Sequence, residues 1–211
     1  MDLNQLDTQL FYWINRHHCD VADWILWTLS QGWSWAVVLI ILLCFTTMRY
    51  EPRRLWVVLL GIGLCFLLGD RISVLCFKDV FCRLRPCHAL DDVRMFRTSC
   101  SGQYGFVSSH AANVMALAMF LSLRYRKAVQ KYLSNKFRTT KRIAISPTLF
   151  GWIVFVWAIL VGYSRPYLGK HYPGDVICGS LLGIIIGAIV FLALQVAGNI
   201  IVRNRNKKNI K

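Results

Sequence analysis

The stretch VICGSLLGIIIGAIVFLALQVAGNIIV, residues 176–202, runs without a single charged side chain. An α-helix rises about 1.5 Å per residue, so about 20 apolar residues cross the hydrocarbon core of a bilayer. Four further apolar segments lie at about 25–48, 55–77, 108–123 and 147–163. The sequence therefore predicts an all-α, polytopic transmembrane helix bundle with five spans. The third and fourth segments are short, which favours interior positions in the bundle.

The first 22 residues have a different pattern. Leu3, Leu6, Leu10 and Trp13 recur at helical spacing, and polar residues occupy the other side. This pattern is typical of an amphipathic helix that lies in the membrane interface. The predicted organisation is an interfacial helix at 1–22, a transmembrane domain at 23–202 and a basic cytoplasmic tail at 203–211.

The formal net charge of +15 is unevenly distributed. Basic residues concentrate in 49–54, 124–142 and 203–211, whereas the N-terminal stretch is acidic. Positively charged loops stay on the cytoplasmic side, so the N-terminus is predicted outside and the C-terminus inside. We interpret the charge as topology and lipid attraction and expect a membrane but no nucleic acid as partner. The sequence leaves the oligomeric state open.

This topology places polar residues from three separate parts of the chain at the outer ends of the spans. They are Lys78, Arg85, Ser108, Ser109, His110, Ser164, Arg165, His171 and Asp175. Lys78 and Arg85 are seven residues apart, so we expect them on one face of a helix that Pro86 ends.

His171 and Asp175 are four residues apart, and Pro173 favours a helix start between them. A carboxylate that holds the Nδ1–H group of an imidazole leaves Nε2 free as a nucleophile. A histidine that caps a helix, or a metal-binding His–Asp pair, are the alternatives.

Two more features have structural interpretations. Asp70 and Arg71 lie inside the second span, where a charged pair is costly, and are predicted to form a supporting ion pair beneath the site. Ser108 and Ser109 stand where a helix N-cap belongs, and backbone N–H groups at such a start also bind anions.

These residues together resemble a three-part signature: Lys-x6-Arg-Pro, Pro-Ser-Gly-His and Ser-Arg-x5-His-x3-Asp. The chain has Lys78 with Arg85-Pro86, then the run 107–110, then Ser164-Arg165 with His171 and Asp175. The signature is that of the type 2 phosphatidic-acid-phosphatase family, which also includes vanadium haloperoxidases. The second motif departs from it, because Val107 replaces proline and Ser109 replaces glycine.

The resemblance implies a phosphatase that forms a phosphohistidine on His171. Asp175 would orient His171, and His110 would protonate the leaving alkoxide. The phosphoryl oxygens would be held by Lys78, Arg85, Ser108, Ser109 and Arg165. Fixed cations would do the work of Mg²⁺, so we expect no metal and no cofactor.

The substrate is less determined. The basic inner loops and outer site resemble a bacterial inner-membrane protein with its active site on the periplasmic face. Candidate substrates are lipid A phosphates, undecaprenyl pyrophosphate, phosphatidylglycerol phosphate and phosphatidate. Additional outer cations at Arg83, Arg94 and Arg97 favour lipid A, and general contact with lipid headgroups is their alternative explanation.

Two other functions fit less well. An anion transporter would need paired broken helices, which the sequence does not indicate. An enzyme that passes the phosphoryl group to an acceptor other than water stays open.

The outer loop contains Cys82, Cys87 and Cys100. A disulfide between Cys87 and Cys100 is predicted, since both follow Pro86 on the oxidising side. Three free thiols are the alternative.

Overall fold

Helices make up the regular structure of the part of the chain that the computed structural model describes, residues 2–43, 50–100, 102–134 and 145–208. They are α1 (Leu3–Arg16), α2 (Asp20–Ser30), α3 (Gly32–Leu43), α4 (Leu55–Ile72), α5 (Asp79–Phe81), α6 (Pro86–Ala89), α7 (Ser109–Ser134), α8 (Pro147–Tyr167) and α9 (Pro173–Lys208). A 3₁₀ turn, Pro52–Arg54, precedes α4, and a wider π-helical segment, Ser73–Lys78, connects α4 to α5. The prediction of an all-α protein is confirmed.

Three continuous helical segments within the described ranges are long and apolar enough to cross a membrane. They are Pro52–Phe81, Pro147–Tyr167 and Pro173–Asn204. The helices α2 and α3 qualify together but are bent by 71° at Gln31. The predicted first span at 25–48 is therefore not one straight helix, and its residues 44–48 lie outside the described part of the chain.

Helix α7 is longer than its predicted span, 108–123, and is surrounded by α4, α8 and α9. Its first three turns and much of the rest are buried, down to Tyr125 and Val129. These residues are covered by other helices of the protein. Helix α7 therefore belongs to the core, although its C-terminal half contains several basic residues. The expected interior position of the fourth segment is wrong, because α8 exposes Trp152, Val156 and Ile159.

A stripe of glycines fixes how α9 docks on α7. Gly179, Gly183 and Gly187 are each one helical turn apart, and a Cβ on them would clash with the backbone carbonyl oxygens of Ser108, Ala112 and Ala116 respectively. The residue numbers increase in the same direction on both helices, so α7 and α9 run parallel with their backbones in contact. Small residues permit such close approach between apolar helices. The stripe therefore brings the start of α9 against the start of α7.

Helix α1 packs against α8 and α9 through one face. Phe11 and Asn15 are buried, whereas Leu3, Leu10 and Trp13 are exposed. The Asn15 side chain donates to the Tyr167 carbonyl oxygen at 2.9 Å, and its oxygen accepts from the Arg94 backbone N–H at 2.9 Å. The N-terminal helix is thus fixed to the end of the bundle where α8 ends and α9 begins.

Candidate active site

A cavity of about 540 Å³ lies at the end of the bundle where α7 and α9 begin and α8 ends. Its walls come from the α2–α3 bend, the loop before α7 and the two sides of the α8–α9 connection. The lining residues are Trp27, Ser30, Gln31, Gly32, Lys78, Arg85, Arg97, Thr98, Ser99, Ser109, His110, Arg165, Lys170 and His171. The structure therefore brings most of the predicted site residues into one cavity.

His171 is 1% exposed, and its Nε2 atom lies 3.2 Å from Nη1 of Arg85. A guanidinium can only donate, so Nε2 accepts and the neutral ring carries its proton on Nδ1. Burial lowers the pKa of His171 well below its usual range, and Arg85, Arg165 and Lys78 lower it further. The imidazole is consequently neutral at pH 7, with its Nε2 lone pair directed towards the cations.

Asp175 does not make the predicted hydrogen bond to His171. Its Oδ2 atom is 3.6 Å from Nδ1 of His171 and accepts instead from the Tyr172 backbone N–H at 3.1 Å. The backbone of Gly105, not Asp175, is the hydrogen-bonding group beside the His171 ring. The carboxylate therefore lies close to the neutral ring without a hydrogen bond to it, and its Oδ2 atom is bonded to the start of α9.

Arg83 is the main partner of Asp175. Its Nη1 atom donates to Oδ1 of Asp175 at 2.8 Å, and its Nη2 atom donates to Oδ2 of Asp7 at 2.8 Å. The guanidinium lies 4.1 Å from the centre of the Tyr172 ring. Asp7 also accepts from the Gly174 backbone N–H at 2.7 Å. The N-terminal helix α1 thereby reaches the first turn of α9 through Arg83.

Sequence reasoning placed Arg83 among the extra outer cations and missed this role. A signal was present: Arg83 and Arg85 alternate with Leu84, and in an extended segment such residues share one side. The segment is extended because Leu84 pairs with Tyr104, with the Arg85 N–H donating to the Gln103 carbonyl oxygen at 3.1 Å.

The same pairing corrects the predicted helix end. The helix ends at Phe81, and Cys82 adopts a left-handed conformation with φ of 47°. Lys78 and Arg85 therefore do not share a helical face, although both reach the cavity.

Three predicted phosphate ligands form a cationic cradle. The Lys78 Nζ atom donates to Ser109 Oγ at 2.7 Å. Arg85 Nε donates to the Tyr104 carbonyl oxygen at 3.2 Å. Arg165 is 3% exposed, and its Nε has no hydrogen-bond partner within the described residues. A buried cation with an unsatisfied donor is unfavourable unless an anion joins it, so the cradle suits a phosphoryl group.

Ser108 differs from the expectation that it holds phosphate. Its side chain is fully buried outside the cavity lining, and its Oγ faces the Ala111 N–H at 3.5 Å, as in a helix cap. The Ser108 backbone N–H donates to the Asp175 carbonyl oxygen at 3.0 Å. Ser109 instead lines the cavity.

The predicted ion pair between Asp70 and Arg71 is not formed. Both side chains are exposed, and no salt bridge joins them. Consecutive residues on a helix point about 100° apart, which keeps the two groups separated.

Several cavity residues have no counterpart in the sequence prediction. Lys170 directly precedes His171, and its pKa is lowered to about 8 by burial, then by Arg165 and Arg85. Two tryptophans also contact the site: Trp27 lines the cavity, and the Trp35 ring lies 5.3 Å from the His110 ring. The positions of both tryptophans depend on the bend at Gln31, and this bend was not predicted from the sequence.

Cys87 and Cys100 are joined by a disulfide, with Cα atoms 6.0 Å apart. His88 lies beside the two sulfur atoms in a cluster whose possible ligand atoms are within 4.8 Å of one another, but the disulfide leaves no thiolate to bind a metal. This cluster is outside the cavity lining.

The geometry suits phosphoryl transfer. A neutral histidine, a second histidine and three fixed cations face one cavity, and positioned positive charge is what phosphoryl transfer mainly requires.

Comparisons with known proteins agree with this interpretation. A lipid A 4′-phosphatase from Porphyromonas gingivalis is 29% identical over 190 residues, covering 89% of this chain and 72% of the relative. An undecaprenyl-diphosphatase from Sulfolobus acidocaldarius is 27% identical over 195 residues, covering 90% and 78%. The crystal structure of Aquifex aeolicus LpxE shares the fold, with a TM-score of 0.58 at 23% identity, covering 88% of this chain and 94% of that one. The model of the PAP2 superfamily matches residues 63–198, which contain all three motifs. The resemblance noted from the sequence is thus confirmed, and this chain belongs to the PAP2 superfamily.

Proposed function

We propose that this protein is an integral membrane phosphatase that hydrolyses a phosphate ester or pyrophosphate on a cell-envelope lipid through a phosphohistidine on His171. One observation carries the proposal: Nε2 of the buried, neutral His171 faces the cations of the cradle and accepts from Arg85 at 3.2 Å. A lone pair held among cations is a nucleophile placed beside an anion site.

In the first step, a phosphate monoester enters the cradle and takes over the donors of Lys78, Arg85 and Arg165. Release of Arg85 frees Nε2 of His171, which attacks phosphorus while the bond to the lipid oxygen breaks. His110 acts here as an imidazolium, a form that the negative charge of the bound phosphate favours, and it gives its proton to the departing alkoxide. Asp175 stabilises the positive charge that develops on the His171 ring.

In the second step, water attacks phosphorus, and the bond to Nε2 breaks. His110 takes the proton of that water, and inorganic phosphate leaves. His110 is thus acid first and base second, as reversibility demands of one group serving both steps. Its contact with Trp35 fixes the ring in the cavity wall.

Lipid A phosphate is our first candidate for the substrate. The relative from Porphyromonas gingivalis supports it by name and across most of both chains. Undecaprenyl pyrophosphate is the second candidate, supported in the same way by the Sulfolobus relative. Phosphatidylglycerol phosphate and phosphatidate complete the set.

The proposed membrane arrangement has five crossings: the bent α2–α3 pair, α4 with its extension, α7, α8 and α9. The helix α1 would lie in the outer interface, and the basic residues 203–211 in the cytoplasm. In a bacterial inner membrane this arrangement puts the cavity on the periplasmic face. A reporter after Lys211 should read as cytoplasmic and one near Ser101 as external; the reverse pattern would refute this orientation.

The decisive experiment measures phosphate release by purified protein from a panel of the four lipids in detergent. His171→Ala should abolish release while leaving thermal unfolding close to wild type, since no other group forms the intermediate. Substantial activity in this variant would refute the phosphohistidine. Release without any added acceptor also separates hydrolysis from transfer to a second molecule.

A further inference from the structure

The basic side chains around the cavity are of two kinds: some form ion pairs with carboxylates, and others do not. Arg83 is neutralised by Asp7 and Asp175, and Arg94 by Asp23, to which Nη1 donates at 2.9 Å. Neither arginine lines the cavity. Among the described residues, no carboxylate forms an ion pair with Arg97 or Lys170, and both line the cavity.

Arg97 is held in place without losing its charge. Its guanidinium lies 4.8 Å from the Trp24 ring centre and 5.3 Å from that of Trp27. The Trp27 Nε1–H donates to the Arg97 carbonyl oxygen at 3.2 Å. Aromatic faces position a guanidinium but leave its N–H donors available. The left-handed backbone at Arg97, with φ of 47°, is uncommon for an arginine and is typical of functional loops.

Lys170 stands among like charges. Partial burial lowers the pKa of Lys170 most, and the charges of Arg165 and Arg85 lower this pKa further. No hydrogen bond satisfies its Nζ atom among the described residues. An ammonium group beside two guanidinium groups is electrostatically unfavourable, and an anion bound next to it would offset this repulsion.

The cavity is also larger than one phosphate needs. Its volume of about 540 Å³ falls within the range of about 300–1,000 Å³ typical of sites for whole small molecules. Thr98 and Ser99, which follow Arg97 in the chain, also line this cavity.

We propose that Arg97 and Lys170 form a second anion subsite in this cavity, which binds a further phosphate group of the same lipid whose first phosphate occupies the cradle. The inference rests on the proposed function and narrows it to lipids that carry two phosphates, either as a diphosphate or as separate groups.

The test uses lipid pairs that differ by one phosphate. One pair is lipid A with two phosphates against lipid A with one; the other is undecaprenyl diphosphate against undecaprenyl phosphate. Purified full-length protein is assayed as wild type, Arg97→Gln, Lys170→Gln, the double variant and Lys170→Arg. Arg94→Gln is the matched control, because it removes a nearby cation that does not line the cavity.

The double variant should lose about 10–100-fold in kcat/KM on the two-phosphate lipid, the range that charge-assisted hydrogen bonds provide. Activity on the one-phosphate lipid should stay near wild type, and Lys170→Arg should retain the preference. The pair that responds identifies the source of the second phosphate. Equal loss on both members of each pair, or no loss on either, would overturn the second subsite.

Failure of the proposed function would look different: wild-type protein would release phosphate from none of the four lipids. In that case titration calorimetry tests the second anion subsite without depending on enzymatic activity. Inorganic pyrophosphate should bind the wild type more tightly than the double variant, while inorganic phosphate binds both equally. Equal pyrophosphate binding would end the proposal.

Discussion

Replacement of Arg83 by glutamine tests how the N-terminal helix supports the active site. Arg83 joins Asp7 of α1 to Asp175 of α9, at 2.8 Å from each carboxylate. Glutamine keeps a polar side chain but removes the positive charge. Its single amide group cannot replace the two guanidinium nitrogens that donate to Asp7 and Asp175. We expect lower stability together with a lower kcat.

The magnitude follows from the burial of the partners. The Asp175 side chain is 0% exposed, and without Arg83 its remaining donor is the Tyr172 N–H. Breaking a buried ion pair costs about 3–5 kcal/mol. Because the Arg83 and Asp7 side chains are 25% and 14% exposed, water compensates in part, and we expect about 3 kcal/mol.

The effect on turnover comes through His171. The Asp175 carboxylate lies 3.6 Å from Nδ1 of His171, and Arg83 fixes its position. A displacement of about 1 Å in a catalytic group costs about 100-fold in rate, so kcat should fall by about 10–100-fold. KM should change less, because Arg83 does not line the cavity.

The assay combines thermal unfolding in detergent with steady-state phosphate release. Arg94→Gln is the control: it breaks the ion pair to Asp23, which is 2% exposed, without touching Asp175. It should lower stability to a similar degree and keep kcat close to wild type. If both variants lose stability and neither loses kcat, Arg83 is structural only and the positioning role is refuted.

Further predictions concern the metal, the loop and the helix packing. Activity should survive EDTA, because Lys78, Arg85 and Arg165 occupy the cavity wall where metal ligands would stand; loss on chelation that Mg²⁺ or Zn²⁺ restores would contradict this. Mass spectrometry of non-reduced protein should find Cys87 and Cys100 protected from alkylation, and reduction should cost about 3 kcal/mol in the chain-entropy estimate for a loop of this size; fully alkylatable thiols would disprove the bond. Gly183→Ala should lower the melting temperature, because the Cβ meets the Ala112 carbonyl oxygen, whereas Gly63→Ala, with nothing within 4 Å, should not; equal effects would show that the glycine stripe does not set the α7–α9 distance.

The site was predictable to the extent that its residues follow fixed spacings. Each motif occupies a short stretch of chain, so the types and intervals of Lys78, His110, Arg165 and His171 are visible without coordinates. Their meeting was also predictable, because alternate crossings bring the end of one span and the start of the next to the same side.

The partners of those residues were not predictable. Arg83 and Arg97 are equivalent in the sequence, as arginines of one loop between two apolar segments. The fold pairs Arg83 with Asp7, which is 76 residues away, and stacks Arg97 on Trp24 and Trp27. Whether a cation is neutralised or available depends on such long-range neighbours.

The sequence by itself determined the fold class, the family and the motif residues from which the candidate site is built, because apolar length and motif spacing are local properties of the chain. Tertiary structure alone decided that the α2–α3 pair bends beside the site and that Asp175 accepts a hydrogen bond from Arg83 rather than from His171. It also decided that Ser108 is buried while Lys170 faces the cavity. These outcomes depend on how closely α9 can approach α7 and on where α1 docks, and both follow from contacts between residues far apart in the chain.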